Sequence, residues 1–376
     1  MRSKQLLAVL AAFLLFAVPT TGQAAETIKL GVGGSFSGDL AGYGLPELNA
    51  AKLVVEKYNA KGGINGKMVE ILQQDDQCKP ELSTNAATKL IADGAEIVMG
   101  HTCSGATKAA LPMYNDKRIV AVSPSATSPE LTQEGKFPLF FRTTPSDDAQ
   151  ARLGADFALQ GLKAKKIALL HDKGDYGKPY AEFVRQFVKE SGQAEVVFFE
   201  GITPGAMDYS SVVQKIGRSG ADTLIFGGYY PEASKLITLI KARKMTINFV
   251  SEDGVKTNNF LKLAGKDAEG VYASSSRDYS DLEVTKDAYE SHRKMFGSEP
   301  GQFFDLAYAA TMALLNAVEK AGTTEADAVA HALRTEYVET PLGKIRFDAR
   351  GDCEGAGFAM YRVENGLFVD QKFEAK

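Results

Sequence analysis

Residues 96–122 read EIVMGHTCSGATKAALPMYNDKRIVAV, and this stretch contains the unit that decides the fold. Its apolar beginning predicts a strand at 96–99, a helix begins near Ser104, and the apolar end predicts another strand at 119–122. Between the first strand and the helix lies a loop of small and polar residues. A strand, a helix and a strand in this order are typical of parallel sheets that carry helices on their faces.

The same alternation continues on both sides of this unit. We predict further strands at 27–33, 68–72, 139–142, 166–170, 196–199, 223–226, 247–250 and 270–273. We predict helices over about 45–59 and 81–92, and helices that begin near residues 147, 176, 210 and 231. About ten strands are too many for one compact domain of this kind, so the sequence predicts an α/β protein with two doubly wound parallel-sheet domains and a cleft between them.

The end of the chain departs from this alternation. An alanine-rich helix is predicted at 303–320, and it is followed by short strands with glycine turns at 345–348, 358–361 and 367–369. No tandem repeat or coiled-coil heptad is visible in the sequence.

The N-terminus has the parts of a secretory signal peptide in the expected order. Arg2 and Lys4 provide positive charge, residues 6–18 are almost entirely apolar, and small residues follow. The apolar stretch is shorter than a membrane span requires. We therefore predict a signal peptide at 1–24, cleaved after its last residue or the one that follows, and a periplasmic mature protein.

The charge of the chain argues against nucleic acid as a partner. Lysine and arginine number 43 against 47 aspartate and glutamate residues, and the net charge is −4 at neutral pH. The sequence contains no basic tract. Because nucleic acid binding relies on clustered positive charge, we expect no such partner.

Three cysteines, Cys78, Cys103 and Cys353, allow one disulfide in an exported protein. Cys78 and Cys103 each lie just after a predicted strand. Closing the loop between them would stabilise the fold by roughly 3–4 kcal/mol in the chain-entropy model. Cys353 would then remain as a free thiol or a packing residue. A metal site is disfavoured because the cysteines form no close pairs and the chain has only four histidines.

Loops that follow the strands are the candidate binding elements, because ligands of open parallel sheets lie outside the carboxyl ends of the strands. In the loops at 100–107 and 123–130, Ser104 and Thr127 lie where helices are expected to begin. Free backbone N–H groups at helix starts, together with these hydroxyls, could hold a carboxylate. The alternative is that both residues only cap their helices, which is common.

Other loops offer an acid and aromatic groups. Asp253 follows the predicted strand at 247–250 and could face an ammonium group across the cleft, although a solvated turn is the commoner place for such an acid. Four aromatic residues could wall an apolar pocket or belong to the core: Tyr43, Tyr176, Tyr229 and Phe303.

The sequence matches no enzyme motif. Residues 31–34 begin like a dinucleotide-binding loop, but phenylalanine stands at position 36, where that motif needs its last glycine. Residues 63–67 lack the spacing of a phosphate-binding loop. Residues 34–38 have phenylalanine where a nucleophile elbow needs serine. His101 lies two residues from Cys103, but a disulfide at this cysteine would remove the thiolate that a nucleophile requires. We therefore predict a protein that is not an enzyme and that uses no cofactor or metal.

Several segments of the chain match one family of transport proteins. They are YG at 43–44, NAKGGI at 59–64, DDQC at 75–78, GHTCS at 100–104, PSAT at 124–127, HDKGDYG at 171–177 and GGY at 227–229. With these segments in order along essentially the whole mature chain, the sequence closely resembles the bacterial leucine/isoleucine/valine-binding proteins of ABC transporters. The set is specific, although each segment alone is not.

This resemblance implies the type I periplasmic binding-protein fold, in which three crossovers join two lobes around a hinged cleft. The implied N-terminal lobe is 26–145 plus 277–350, and the implied C-terminal lobe is 146–276 plus 351–376. The resemblance also implies a disulfide between Cys78 and Cys103.

The resemblance implies a role for each candidate residue at the polar end of the site. Ser104, and the loop that contains Ser125, Ala126 and Thr127, correspond to the family residues that hold the ligand's α-carboxylate. Tyr229 corresponds to a residue near the backbone of the bound amino acid.

Tyr43, Tyr176 and Phe303 correspond to the family's side-chain pocket. Asp253 stands where the family usually has a glutamate for the α-ammonium group, so the charge is kept on a shorter side chain. The implied function is to bind leucine, isoleucine or valine as a monomer and to deliver it to an inner-membrane ABC permease complex. The change at Asp253 motivates an alternative, which is that the same fold binds another small amino acid, amide or carboxylate.

Overall fold

The structure is a computed structural model that describes residues 26–374. The predicted signal peptide at 1–24 lies outside the described residues. Within the described range, no helix combines the length and the apolar character that crossing a membrane requires. The chain forms two α/β units, each built on its own sheet.

The first unit contains a sheet of five parallel strands, β1 (Thr27–Gly34), β2 (Met68–Asp75), β3 (Ile97–Gly100), β4 (Val120–Ser123) and β5 (Phe140–Arg142). The helices between them are α1 (Ala41–Ala60), α2 (Pro80–Ala92), α3 (Ser104–Asp116) and α4 (Glu130–Gln133). The strand order is β2-β1-β3-β4-β5. Every residue of β3 and β4 is buried, which explains why both strands read as short apolar runs in the sequence.

The second unit begins with five more parallel strands, β6 (Lys166–His171), β7 (Glu195–Gly201), β8 (Thr223–Gly227), β9 (Asn248–Ser251) and β10 (Tyr272–Ser276). Its helices are α5 (Asp147–Asp156), which continues as a π-helical turn at Phe157–Gly161, α6 (Gly177–Ser191), α7 (Ser210–Ser219), α8 (Tyr230–Ala242) and α9 (Asn258–Ala264). Short 3₁₀ turns lie at Asp253–Val255 and Gly265–Ala268.

The chain then returns to the first unit with α10 (Glu283–Phe296), α11 (Phe304–Ala321) and α12 (Ala326–Thr335). The strands β11 (Val338–Thr340), β12 (Gly343–Phe347) and β13 (Cys353–Glu354) form a small antiparallel sheet. Finally β14 (Phe358–Glu364) and β15 (Leu367–Asp370) join the second sheet, whose order is β15-β14-β10-β9-β8-β6-β7. The chain therefore passes between the two units three times.

The packing explains why the chain returns. Helix α11 packs against α1, β3 and β4, so the largest buried apolar cluster joins the first sheet to a helix that lies far away in the sequence. On the other side, α5 packs against β10 and β14. A distant part of the chain therefore completes the core of the first unit, and the C-terminal strands β14 and β15 complete the sheet of the second.

The prediction of two doubly wound α/β units is confirmed, and each of the ten strands predicted between residues 27 and 273 overlaps an observed strand. Two details differ. The strands β14 and β15 are antiparallel to their neighbours, so the second sheet is mixed. Helix α10 was not predicted, because its buried residues are Thr285, Ala288 and His292, which carry little apolar signal.

Candidate ligand-binding site

The candidate site is a cavity between the two units, at the carboxyl ends of their strands. It is lined by residues from both units: Tyr43, Thr102, Cys103, Ser104, Ser125, Tyr176, Tyr229, Asp253, Gly254 and Phe303. The structure therefore brings together seven of the nine binding residues singled out from the sequence. The other two, Ala126 and Thr127, are buried directly after Ser125 and are not among the lining residues.

The cavity is nearly filled by its own side chains. About 240 Å³ of space between the protein atoms lies at the site, part of it open to solvent, but the centre of a water molecule can reach only about 10 Å³. That is close to the room that a single water needs. The two units are therefore closed over the site, and an amino acid cannot enter until the units or the lining side chains move.

Hydrogen-bond donors from two helix-start loops meet at one end of the cavity. Ser104 is the first residue of α3, and its hydroxyl oxygen accepts a hydrogen bond from the N–H of Ser128 at 3.2 Å. The hydroxyl of Thr127 is fully buried and has no hydrogen-bond partner among residues 26–374. The carboxyl of Asp147 lies near that hydroxyl, but the two do not meet hydrogen-bond geometry. This end of the site is suited to a carboxylate, which can accept from such donors.

Arg142 fixes the second of these loops and was missed in the sequence. The guanidinium is fully buried at the end of β5, and Nη1 donates to the carbonyls of Ala126 (3.3 Å), Thr127 (2.7 Å) and Ser128 (2.8 Å). Because the C=O and N–H groups of a trans peptide point in opposite directions, the N–H groups of Thr127 and Ser128 face away from the guanidinium. The positive charge of Arg142 is paired with the carboxylate of Asp352, whose Oδ1 lies 2.6 Å from Nε.

Asp253 lines the same cavity and provides a negative charge. It begins a 3₁₀ turn directly after β9, it is 2% exposed, and its Oδ1 accepts a hydrogen bond from the hydroxyl of Tyr176 at 2.5 Å. Burial raises the pKa of Asp253 to about 6, while the hydrogen bond from Tyr176 opposes that rise. The carboxyl is therefore mostly ionised at neutral pH, so it can pair with an ammonium group.

Two further acids lie beside Asp253, and sequence reasoning missed both as neighbours of the site. Glu252 and Asp147 are fully buried, and none of their carboxyl oxygens has a hydrogen-bond partner in the described part of the chain. Burial, reinforced by the charges of neighbouring acids, raises the pKa of both well above its usual range. Burial therefore favours the protonated form of both more strongly than that of Asp253, whose carboxyl also accepts a hydrogen bond from Tyr176.

Aromatic rings from both units form the wall of the cavity. Tyr43 and Phe303 belong to the first unit, and their ring centroids lie 5.3 Å apart. Tyr176 and Tyr229 belong to the second unit and stack at 4.9 Å. Tyr43 links the two units, because its ring lies 6.0 Å from that of Tyr229 and its hydroxyl donates to the carbonyl of Gly254. The four aromatic residues predicted to wall a pocket therefore lie together.

The cysteines behave as the family resemblance implies. Cys78 and Cys103 form a disulfide, and Cys103 lines the cavity. Cys353 is a free, partly buried cysteine, and burial raises the pKa of its thiol, which disfavours the reactive thiolate. Among the residues that the structure describes, no group of three or more histidine, cysteine, aspartate or glutamate side chains could hold a metal ion.

Two α/β units that meet over a buried polar and aromatic site are the arrangement of a solute-binding protein. The family model of the periplasmic binding proteins matches residues 27–366, and the chain belongs to that family. This confirms the family resemblance found in the sequence.

Its relatives are binding proteins for branched-chain amino acids. The chain is 34% identical over 352 residues to the Leu/Ile/Val-binding protein of Escherichia coli K12, covering 93% of this chain and 94% of the relative. It is 33% identical over 359 residues to the leucine-, isoleucine-, valine-, threonine- and alanine-binding protein of Pseudomonas aeruginosa, covering 96% of both chains.

Solved structures agree with the fold. The substrate-binding protein LivJ of a branched-chain amino acid transporter from Streptococcus pneumoniae, in complex with isoleucine, matches with a TM-score of 0.82 and 27% identity, covering 92% of this chain and 100% of that chain. The leucine-binding protein LivK of Thermotoga maritima matches with a TM-score of 0.86 and 23% identity, covering 92% and 98%.

Proposed function

We propose that this protein is the periplasmic solute-binding component of an ABC importer and that it binds leucine, isoleucine or valine in the cleft. The observation that carries the proposal is one cavity lined both by the ionised carboxylate of Asp253 and by the uncharged helix-start loops at Ser104 and Ser125. A zwitterion fits this arrangement, because its ammonium group meets a charge and its carboxylate meets hydrogen-bond donors.

The aromatic wall would select the side chain of the ligand. Tyr43, Tyr176, Tyr229 and Phe303 present ring faces and edges rather than charges, so an aliphatic side chain would gain free energy on leaving water. The names of the relatives from Escherichia coli and Pseudomonas aeruginosa support the same class of ligand.

We further propose that the lobes comprise 26–145 plus 277–350 and 146–276 plus 351–376. In support, the strands of the first sheet lie within 27–142 and those of the second within 166–276 and 358–370. Rotation of one lobe against the other would open the site for ligand entry, and the closed form would dock on the inner-membrane permease. The protein would be exported through its signal peptide, act as a monomer and have no catalytic activity or cofactor.

A second candidate is another small amino acid, amide or carboxylate. The observation that favours it is Asp253 itself, which is one methylene shorter than the glutamate usual in the family. The relative from Pseudomonas aeruginosa, whose name includes threonine and alanine, also favours a wider range of ligands.

Calorimetric titration of the mature protein with leucine, isoleucine, valine, alanine and phenylalanine tests the proposal. Leucine has three more carbons than alanine, and at about 0.8 kcal/mol for each we expect leucine to bind about 60-fold more tightly. Two analogues of leucine serve as controls: leucinamide lacks the carboxylate and 4-methylpentanoate lacks the ammonium group. Both should bind much more weakly than leucine, and equally tight binding of 4-methylpentanoate would contradict the proposal.

A further inference from the structure

Glu47 is a buried acid that connects the two loops around the carboxylate end of the cavity. It lies in the first half of α1 and is 1% exposed. One carboxyl oxygen, Oε1, lies 2.6 Å from the hydroxyl of Ser125, and the other, Oε2, lies 2.5 Å from the hydroxyl of Thr102. Both of these residues line the cavity, whereas Glu47 does not. Glu47 therefore contacts the site only through the residues that form it.

The hydrogen bonds around Glu47 are satisfied most fully when its carboxyl group carries a proton. The hydroxyl of Ser125 has one proton but contacts two oxygens, Glu47 Oε1 and the backbone carbonyl of Thr102 at 2.8 Å. If Glu47 were ionised, both oxygens would be acceptors and the single proton of Ser125 could satisfy only one of them well. With a proton on Glu47 Oε1 both contacts are satisfied, because Ser125 donates to the carbonyl of Thr102 and accepts from Glu47. The hydroxyl of Thr102 accepts from the N–H of Ser35 and donates to Glu47 Oε2.

We propose that Glu47 is a positioning residue that, in its protonated form, joins the loops at Thr102 and Ser125 and so keeps the site able to hold a carboxylate. This inference rests on the proposed function. Loss of the proton would have two effects. First, the hydroxyl of Ser125 could no longer satisfy both the carbonyl of Thr102 and the carboxylate of Glu47. Second, a buried negative charge would lie close to the ligand's own carboxylate.

The surroundings of Glu47 favour its protonated form. Burial raises the pKa of Glu47 to about 8, the bonds that the hydroxyls of Ser125 and Thr102 can donate to its ionised form oppose the rise, and the charge of Asp76 adds to it. The other titratable groups that face this region are His101, which lies 2.5 Å from Asp76, and Tyr43 on the same helix. In residues 26–374, Glu47 pairs with no lysine or arginine. No positive charge therefore compensates its ionisation directly.

The direction of the pH effect follows from these contacts. Below about pH 8 Glu47 holds its proton and the loops stay joined. The contribution of Glu47 to ligand affinity is therefore largest below that pH. As the pH rises through 8, the binding-competent fraction falls. By linkage, a bound carboxylate raises the pKa of Glu47, so binding near pH 8.5 should take up protons.

Calorimetric titration with leucine at pH 7.0 and pH 9.0, on the parent protein and on Glu47→Gln, tests the proposal. The amide of glutamine can donate to Ser125 and accept from Thr102 but cannot ionise, so the variant should bind within about threefold of the parent at pH 7.0. At pH 9.0 we expect the parent to lose about 10-fold more affinity than the variant, because only about a tenth of Glu47 would remain protonated. Glu56→Gln, at an exposed position on the same helix, should behave as the parent.

The outcomes separate this inference from the proposed function. If the parent fails to bind leucine at pH 7.0, the proposed function is wrong. If the parent binds at pH 7.0 but it and Glu47→Gln lose affinity equally at pH 9.0, the role of Glu47 is wrong. The comparison between the two proteins cancels the ionisation of leucine and of the other groups in the site.

A second measurement applies even if Glu47→Gln does not fold. The parent is titrated at pH 8.5 in two buffers of different ionisation enthalpy, and the protons that free leucine has itself lost at that pH are subtracted. We expect an uptake of roughly 0.7 proton for each ligand bound. No uptake beyond that of leucine would overturn the proposal.

Discussion

Replacing Asp253 by alanine is expected to weaken leucine binding about 1,000-fold, or about 4 kcal/mol. The carboxyl group is 2% exposed and lines a cavity that water hardly reaches. Without it, the ammonium group of the ligand would lose its counter-charge in a place where solvent cannot replace it. The fold should be retained, because the substitution also removes an acid that lies beside Glu252 and Asp147. Calorimetric titration measures the loss of affinity.

Two variants make this test specific. Asp253→Asn keeps the shape of the side chain and removes the charge, so it should lose nearly as much affinity as alanine. Asp175→Ala removes the same charge from the cleft at a side chain that is 40% exposed and pairs with Lys108, so its effect should be less than about fivefold. If either variant at Asp253 bound leucine within tenfold of the parent, another group would have to hold the ammonium.

Replacing Arg142 by methionine is expected to lower the free energy of unfolding by roughly 3–5 kcal/mol. The fully buried guanidinium satisfies Asp352, the hydroxyl of Thr132 and three consecutive backbone carbonyls. Methionine fills much of the volume but donates no hydrogen bond, so these acceptors would lose the bonds that the guanidinium provides and Asp352 would lose its buried counter-charge. Urea unfolding followed by circular dichroism measures the change.

Arg293→Met is the matched control for this second prediction. Arg293 lies on α10, its side chain is 48% exposed, and it forms an ion pair with Glu299 at 2.9 Å. Because exposed ion pairs contribute little, we expect a change of less than about 1 kcal/mol. Equal losses for the two arginine variants would mean that Arg142 does not support the loop as described.

The predictable parts of the fold are the elements whose own residues show that they are buried. Strands such as β3 and β4 are buried on both faces, so each is an apolar run that needs no knowledge of its neighbours. Helix α10 is different, because its buried residues are small or polar and pack well only against surfaces that the fold supplies. The antiparallel direction of β14 likewise depends on which edge of the second sheet is free.

The same distinction applies to the site. Ser104 and Asp253 could be found because they lie in loops that follow predicted strands, where parallel sheets bind ligands. Glu47 lies within an amphipathic helix, where an acid ordinarily faces water, and nothing local in the sequence reveals that it reaches Thr102 and Ser125. Arg142 offered a weak signal, since an arginine that ends a buried strand needs buried partners.

The central claim is that one cavity holds both charges of a zwitterion, and a crystal structure of the protein with leucine tests it most directly. We expect the ammonium nitrogen within about 3 Å of the carboxylate of Asp253, and the carboxylate of leucine on donors from the loops at Ser104 and Ser125–Thr127. Leucine bound with its ammonium group on a different acid, or bound outside the cleft, would contradict the account.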